Sequence, residues 1–333
     1  MTEQNYIGIG NALHDTSIAA LIDGEFKYRK SERAFGIKHH QADDNWFKSV
    51  LDEWGVDEKN SKIVYTDAGR KRFGRRVRKP YNGEDYVVEG DRICIDHHTA
   101  HVHSAQSYAT QHAAFDGRGS GGYSGRWTGL TIAGDQKRYK DLSIGKFLSY
   151  VGYAMGFKGM EVDFAGKVMG LQAYGTPDIE LAKQINQDNI LDLCGEWMHR
   201  GVDSKDPKFQ NFVATVHKAC ELIQLEYFKV FDPTKKISCS GGVMLNTVIN
   251  TELRKTYDLD ILPHVYDGGL SIGALRYAVG HNFDMGKFPY CQDDYAPEQV
   301  TDETIEEAAE LLAQGKIIGW YQGHGEIGPR ALG

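Results

Sequence analysis

Residues 6–33 read YIGIGNALHDTSIAALIDGEFKYRKSER, short apolar runs alternating with turn-forming residues. The alternation predicts a strand at 6–9, a turn over 10–15, a strand at 18–22 and a third at 25–29. Asp23-Gly24 between two such runs is a strong hairpin signal, because this pair tolerates the left-handed backbone of a tight turn. A helix follows at 45–54, with Trp46, Val50, Leu51 and Trp54 on one stripe, then short strands at 62–66 and 92–95 and a helix at 99–110.

A second round of the same kind starts near Asp116. It has strands around 129–133 and 141–146, then a long helix at 211–231 whose residues Val213, Val216, Ala219, Leu222, Ile223, Tyr227 and Val230 keep helical spacing. A strand at 236–239 leads into a Gly-Gly turn, and a further helix begins at 272–278. Two rounds of hairpin sheet with following helices predict an α/β protein of two similar lobes, 1–115 and 116–285. The stretch 283–302 has two prolines and neither periodicity, which places a linker at 286–302. A helix at 304–314 and a strand at 317–321 then precede GPRALG, so 303–333 reads as the opening of a further domain.

The chain has 333 residues, 41% of them hydrophobic, enough for a sizeable core. Its start lacks the basic and apolar regions of a secretory signal, and no apolar run approaches a membrane span. Five scattered cysteines without CxxC spacing point to free thiols in a reducing cytoplasm. The net charge of −8 disfavours general nucleic-acid affinity. Against that trend, RKRFGRRVRK at 70–79 gathers seven cations, either a grip on a polyanion such as a nucleotide-sugar or nucleic acid, or a solvated surface loop.

Four histidines fall within seven residues of IDHHTAHVHSA, at 97, 98, 101 and 103. His97 and His101 are four apart, so on a helix they share a face and can bind one ion through their imidazoles. Two histidines leave such an ion short of donors. Asp116 in FDGRG and Asp267 in VYDGGLSIGA are the candidate carboxylates, each beside glycine at a strand end, and each also readable as an ordinary turn residue. A donor set of two imidazoles plus carboxylate suits Fe(II), Mn(II) or Zn(II).

Three glycine-rich turns are candidates for holding a nucleotide: GKVMGLQAYG at 166–175, SGGVMLN at 240–246 and DGGLSIGA at 267–274. They offer Gly166, Lys167, Gly170, Gly241, Gly242, Asn246 and Gly268. None is a P-loop or a dinucleotide fingerprint. His14 and Asp15 sit in the first hairpin turn, where a histidine can take a proton while its neighbour orients it.

In their order along the chain, HDTS (14–17), SER with Lys38 and His39, HHTAH, FDGRG, GKVMGLQAYG, SGGVMLN, DGGLSIGA and EIGPRALG (326–333) resemble the O-carbamoyltransferases that act on nodulation factors and antibiotics. The resemblance spans the chain from end to end. It implies a two-lobed actin-like ATPase fold, that is, a duplicated RNase H-like fold, related to the enzyme that installs threonylcarbamoyl on tRNA. It further implies carbamoyl-adenylate, made from carbamoyl phosphate and ATP by a YrdC-like C-terminal domain, as donor, and a hydroxyl of a small molecule or sugar as acceptor.

On this resemblance His97, His101, Asp267 and Asp116 hold the metal, His14 with Asp15 is catalytic, Lys38 joins the glycine turns at the nucleotide, and Arg330 binds the phosphate of carbamoyl phosphate. The segment 303–333 becomes the start of the YrdC-like domain, the remainder of which would act in trans. Departures are Gly36 and His324, where the family commonly has arginine, and a short interval from His101 to Asp116. A nucleic-acid acceptor, such as tRNA or a hydroxymethylated DNA base, and a non-catalytic nucleotide-binding module remain alternatives.

Overall fold

The computed structural model describes residues 4–12, 14–66, 77–81, 84–89, 92–105, 111–116, 128–132, 135–139, 144–186, 188–200, 202–292, 300–321 and 323–329. The chain separates into two compact units. The first comprises Met1–Ala68, Arg75–Ile95 and Asp267–Gly333, and the second Gly69–Gly74 and Asp96–Tyr266. The cuts fall at 95/96 and 266/267, whereas the expected lobes are cut at 115/116 and 285/286.

The first unit is built on strands β1 (Asn5–Gly10), β2 (Ser17–Ile22), β3 (Glu25–Lys30), β4 (Ser61–Thr66), β5 (Val77–Tyr81), β6 (Glu84–Glu89) and β7 (Arg92–Ile95), in the order β3-β2-β1-β4-β7-β6-β5. β1 runs antiparallel to β2 and parallel to β4, and β4 runs parallel to β7. The β2–β3 turn puts Asp23 at φ 49° and Gly24 at φ 81°, the paired left-handed residues that the Asp-Gly signal requires. After β3 comes a short helix α1 (Ser31–Phe35), closed by Gly36 at φ 63°.

Period-2 alternation divides the side chains of the sheet between its two faces. Ile7, Ile9, Ile18 and Ala20 pack with Trp46, Phe47, Val50, Leu51 and Trp54 of and just after α2 (Asp44–Glu53), a helix capped by Asp43, whose carboxylate accepts from Asn45 N and Trp46 N. Ala19 and Tyr28 face Ile272 and Leu275 of α10 (Leu270–Val279). α10 lies so close to β1 that a Cβ on Gly8 would come within 2.0 Å of Ser271 O and 2.3 Å of Leu275 N. Only glycine fits there.

α11 (Asp302–Ala313) buries none of its residues, and 317–321, expected as a strand, has irregular backbone with Ile317 fully exposed. An apolar run becomes a strand only beside a partner ladder, and none of the described strands offers one here. The chain then returns to the first unit. Ile327 is fully buried and its N–H donates to Pro289 O, while Gln292 Nε2 donates to Glu326 O at 2.7 Å and Lys30 Nζ to Gly328 O at 3.1 Å. Residues 324–329, expected to open another domain, are held by these contacts.

The second unit contains α3 (His97–Ala105), β8 (Gln111–Ala114), β9 (Thr128–Ile132), β10 (Asp135–Tyr139), α4 (Ile144–Ala154), α5 (Val162–Leu171), α6 (Ile179–Gln184), α7 (Ile190–Arg200), α8 (Pro207–Phe228), β11 (Ile237–Ser240), α9 (Thr247–Leu253) and β12 (Leu259–Ile261). Its sheet order is β10-β9-β8-β11-β12, an antiparallel meander continued by two parallel strands. β3-β2-β1-β4-β7 of the first unit repeats that order and those directions. Phe115, Phe147, Val151, Phe209, Val213, Val216 and Phe228 lie at its core.

Two expectations are corrected here. The predicted strand at 141–146 lies in its first three residues outside the described chain, and Ile144 already begins α4, whose buried Ile144, Phe147, Leu148 and Val151 keep helical spacing. The GKVMGLQAYG stretch is not a turn at its glycines: Gly166, Lys167 and Gly170 are inside α5, where backbone amides are used by the helix. Among the described residues no helix is long and apolar enough to cross a membrane.

Candidate metal centre and histidine–carboxylate cluster

α3 begins directly after β7 because Asp96 caps it: its Oδ1 accepts from His98 N at 3.0 Å and Thr99 N at 3.3 Å. The helix therefore starts at His97, two residues before the expected 99, and places His97 and His101 on one face with ring centroids 4.8 Å apart. Both are buried. Asp116 follows the end of β8 and reaches the same place. Its Oδ2 lies 2.9 Å from His97 Nε2 and 3.9 Å from His101 Nε2, and its Oδ1 accepts from Gly242 N at 3.3 Å.

The SGG turn after β11 makes this possible. Gly241 has φ 93°, and a Cβ there would meet Phe115 O at 2.0 Å. Its N–H donates to Val265 O and that of Val243 to Phe115 O, so the turn is locked against the end of β8, which fixes Asp116. Ser240 Oγ lies 3.1 Å from His101 Nδ1. With Nδ1–H donating to the hydroxyl, Nε2 carries the lone pair, the tautomer a metal ligand needs. Sequence reading did not single out Ser240, although the SGG stretch contains it. Two imidazoles and a carboxylate whose ligand atoms lie within 4.8 Å of one another are a donor set that fits a divalent transition ion.

The remaining clustered histidines differ. Burial pulls His98 down to about 4, so it is neutral near pH 7, and His103 is half-buried. Thiolate ligands are not at hand either. Among the described residues all five cysteines are unbridged, and burial pushes Cys194 and Cys220 up to about 12.

In the first unit the β1–β2 turn forms a second cluster. Asp15 is buried at 3% exposure and takes two imidazoles at once, His14 Nδ1 at 2.8 Å and His39 Nδ1 at 2.9 Å, both on Oδ2. Burial pushes its carboxyl up, but the hydrogen bonds with His14 and His39 outweigh it and hold the group below the usual carboxylate range. Asp267, in the short 3-10 turn that leads into α10, lies with Oδ2 3.7 Å from His14 Nε2. Gly268 next to it accepts at its carbonyl from Ser17 Oγ and Tyr28 Oη, both at 2.9 Å.

The other expected site residues are dispersed. Lys38 is exposed in the loop after α1, and Gly166, Lys167 and Gly170 lie on the solvent side of α5. Asn246 caps α9 through Ile249 N and pairs with buried His217, which commits its side chain to the fold. Arg330 lies outside the described residues, as does 70–76 of the basic run; Val77–Lys79 belong to β5.

No protein-family profile matches the chain. It is 28% identical over 302 residues to the nodulation protein NolNO of Sinorhizobium fredii, covering 74% of this chain and 43% of that one. To the nodulation protein NolO of Bradyrhizobium diazoefficiens it is 27% identical over 209 residues, 50% of this chain and 38% of the other. The chain thus spans less than half the length of these curated relatives. Among solved structures it is similar to component A of the (R)-2-hydroxyglutaryl-CoA dehydratase of Acidaminococcus fermentans, with a TM-score of 0.51 and 12% identity over 84% of this chain and 98% of that one. At that identity the likeness speaks for fold alone: a mixed α/β fold of the actin-like ATPase type.

Proposed function

We propose that the chain acts in O-carbamoyl transfer, passing a carbamoyl group from carbamoyl-adenylate to a hydroxyl of a small-molecule or sugar acceptor. The carrying observation is the meeting of His97, His101 and Asp116 in one donor set, fixed by the Gly241-Gly242 turn. The ordered motifs and the similarity to two nodulation proteins support the reading. The repeated strand order supports a duplicated RNase H-like architecture.

In this reading the acceptor oxygen forms a bond to the carbamoyl carbon while the bond from that carbon to the adenylate phosphate oxygen breaks, and AMP leaves. His14 takes the hydroxyl proton at Nε2, with Asp15 accepting from its Nδ1–H. His97, His101, Asp116 and, on sequence grounds, Asp267 would hold a divalent Fe, Mn or Zn ion, which would supply Lewis-acid stabilisation of charge on phosphate or carbonyl oxygen. Gly241, Gly242 and Gly268, with no side chain to hold a nucleotide off, are assigned to it by close approach, with Asn246 behind the turn. Lys38 and Lys167 are assigned to the same nucleotide, Lys167 through its ammonium group, while Gly166 and Gly170, whose amides belong to α5, take no part. Arg330 is assigned to carbamoyl phosphate, from which a YrdC-like domain makes the adenylate with ATP.

The test is metal analysis of the purified protein and of the His97→Ala/His101→Ala variant, with adenylate binding followed on both. About one equivalent of metal, lost in the variant together with adenylate affinity, is expected. Metal-free protein that binds adenylate regardless of these histidines would leave the fold without this mechanism.

A further inference from the structure

Asp15 and His39 are both non-glycine residues in left-handed backbone, at φ 53° and 56°, and they are hydrogen-bonded to each other. Such conformations cost free energy and persist only where the surroundings over-determine them. Here the surroundings do so. His40 O accepts from Thr16 N at 3.2 Å and Ser31 Oγ at 3.0 Å, Ala42 N donates to Thr16 Oγ1 at 3.2 Å, and Glu32 Oε2 accepts from His39 N at 3.1 Å. The loop after α1 is thereby latched onto the β1–β2 turn, and the latch delivers one side chain, His39, to the carboxylate that holds His14.

We infer that His39 is a positioning residue, which fixes Asp15 so that this carboxylate orients the His14 ring with Nε2 toward the acceptor. The inference rests on the assignment of His14 as proton acceptor. An ionised carboxylate only accepts hydrogen bonds, so His14 and His39 must each present Nδ1–H to it. The two rings stand edge-on, 5.9 Å apart at 77°, so they approach Asp15 from different directions and confine it as one ring alone would not. His39 touches Asp15 and Glu32 through the bonds above, while His14 adds Asp267 at 3.7 Å. Neither imidazole is required by the apolar core.

The test compares His39→Leu with His39→Asn, since asparagine tolerates left-handed backbone and still offers an N–H. With carbamoyl-adenylate supplied, His39→Leu should lower kcat about 100-fold with KM changed no more than about twofold, and His39→Asn should recover most of the loss. 15N NMR of histidine-labelled protein reads the same effect without turnover: His14 should be a single Nδ1–H tautomer in the parent and a mixture in His39→Leu. If no acceptor is ever carbamoylated but the tautomer shifts, the orienting role holds and the transferase reading fails. An unchanged His14 tautomer in both variants overturns the inference. So does a zinc equivalent that survives in His97→Ala/His101→Ala and vanishes with His39→Leu, because the cluster would then be a metal site.

Discussion

The two sheets share a strand order, and each unit carries an aspartate in the connection that follows its first strand, Asp15 ahead of β2 and Asp116 close after β8. Both carboxylates meet imidazoles, but at opposite ring edges. Asp15 receives Nδ1 from two histidines, whereas Asp116 faces Nε2 of His97 and has its other oxygen on a backbone N–H. A carboxylate at Nδ1 orients a ring and leaves Nε2 for chemistry. A carboxylate at Nε2 shares the ring edge that binds a metal. One connection in a repeated topology can thus carry a base-orienting group in one unit and a candidate ligand in the other.

The sharpest way to break the comparison is to disturb the close approach on which each unit relies. Gly241→Ala combines a left-handed φ with a Cβ 2.0 Å from Phe115 O, and should cost about 4 kcal/mol. Gly8→Ala, without the φ penalty but 2.0 Å from Ser271 O, should cost about 3 kcal/mol. Urea midpoints at constant m-value check both. A loss below about 1 kcal/mol at either site would show that the backbone there yields, and that the glycine does not fix the neighbouring aspartate or helix.

These contacts also mark how far the sequence could be read. Asp23-Gly24 announced its hairpin because the turn is local and its φ values follow from residue type. His97 and His101 were legible for the same reason, helical spacing being a local property. The GKVMG stretch misled because glycines at helical spacing on the exposed side of α5 look like a loop when only composition is weighed. β5 and β6 were missed: the charged run and Pro80 disguise β5, the edge strand of the sheet, where cations and proline are tolerated, and with it the hairpin it makes with β6. The grip of His39 on Asp15, 24 residues away, depends on how the loop after α1 folds back, and no spacing rule contains it.

The units should also differ in acid. In β8, burial and then the proximity of His103 pull His112 down to about 4, against an ordinary value near 6.5. The unfolded chain therefore binds a proton that the folded one refuses between those values. Stability from this source is complete above about pH 6.5 and is lost as pH falls toward 4, by about 3 kcal/mol. Asp15 behaves differently: its folded carboxyl is depressed, so its contribution is whole above the ordinary carboxylate range and is lost as pH falls through and below that range. His112→Leu should remove about half of the slope in urea stability between pH 7 and 4.5, since His98, which burial also pulls down to about 4, supplies a like share. A slope unchanged in the variant would assign the acid sensitivity to other groups.

The smallest effect expected is at the partner of His101. In the first unit the Nδ1 atoms of the histidines are held by a carboxylate, in the second that of His101 by the hydroxyl of Ser240, a neutral acceptor. A neutral hydrogen bond is about half as strong as a charge-assisted one, so Ser240→Ala should weaken metal affinity by about tenfold, the low end for loss of an outer-shell partner. Competition with a chelator of known affinity measures it. Ser240→Asp, which would give His101 the kind of partner that His14 has, is too crowded to be a clean control, because Ser240 Oγ is also 3.3 Å from Ser104 Oγ. Ser104→Ala supplies that control. It removes the neighbouring hydroxyl, with its donation to His101 O at 2.7 Å, and leaves the Ser240 bond to His101 Nδ1, so an equal loss in both variants would trace the effect to the serine pair and not to the tautomer of the ligand.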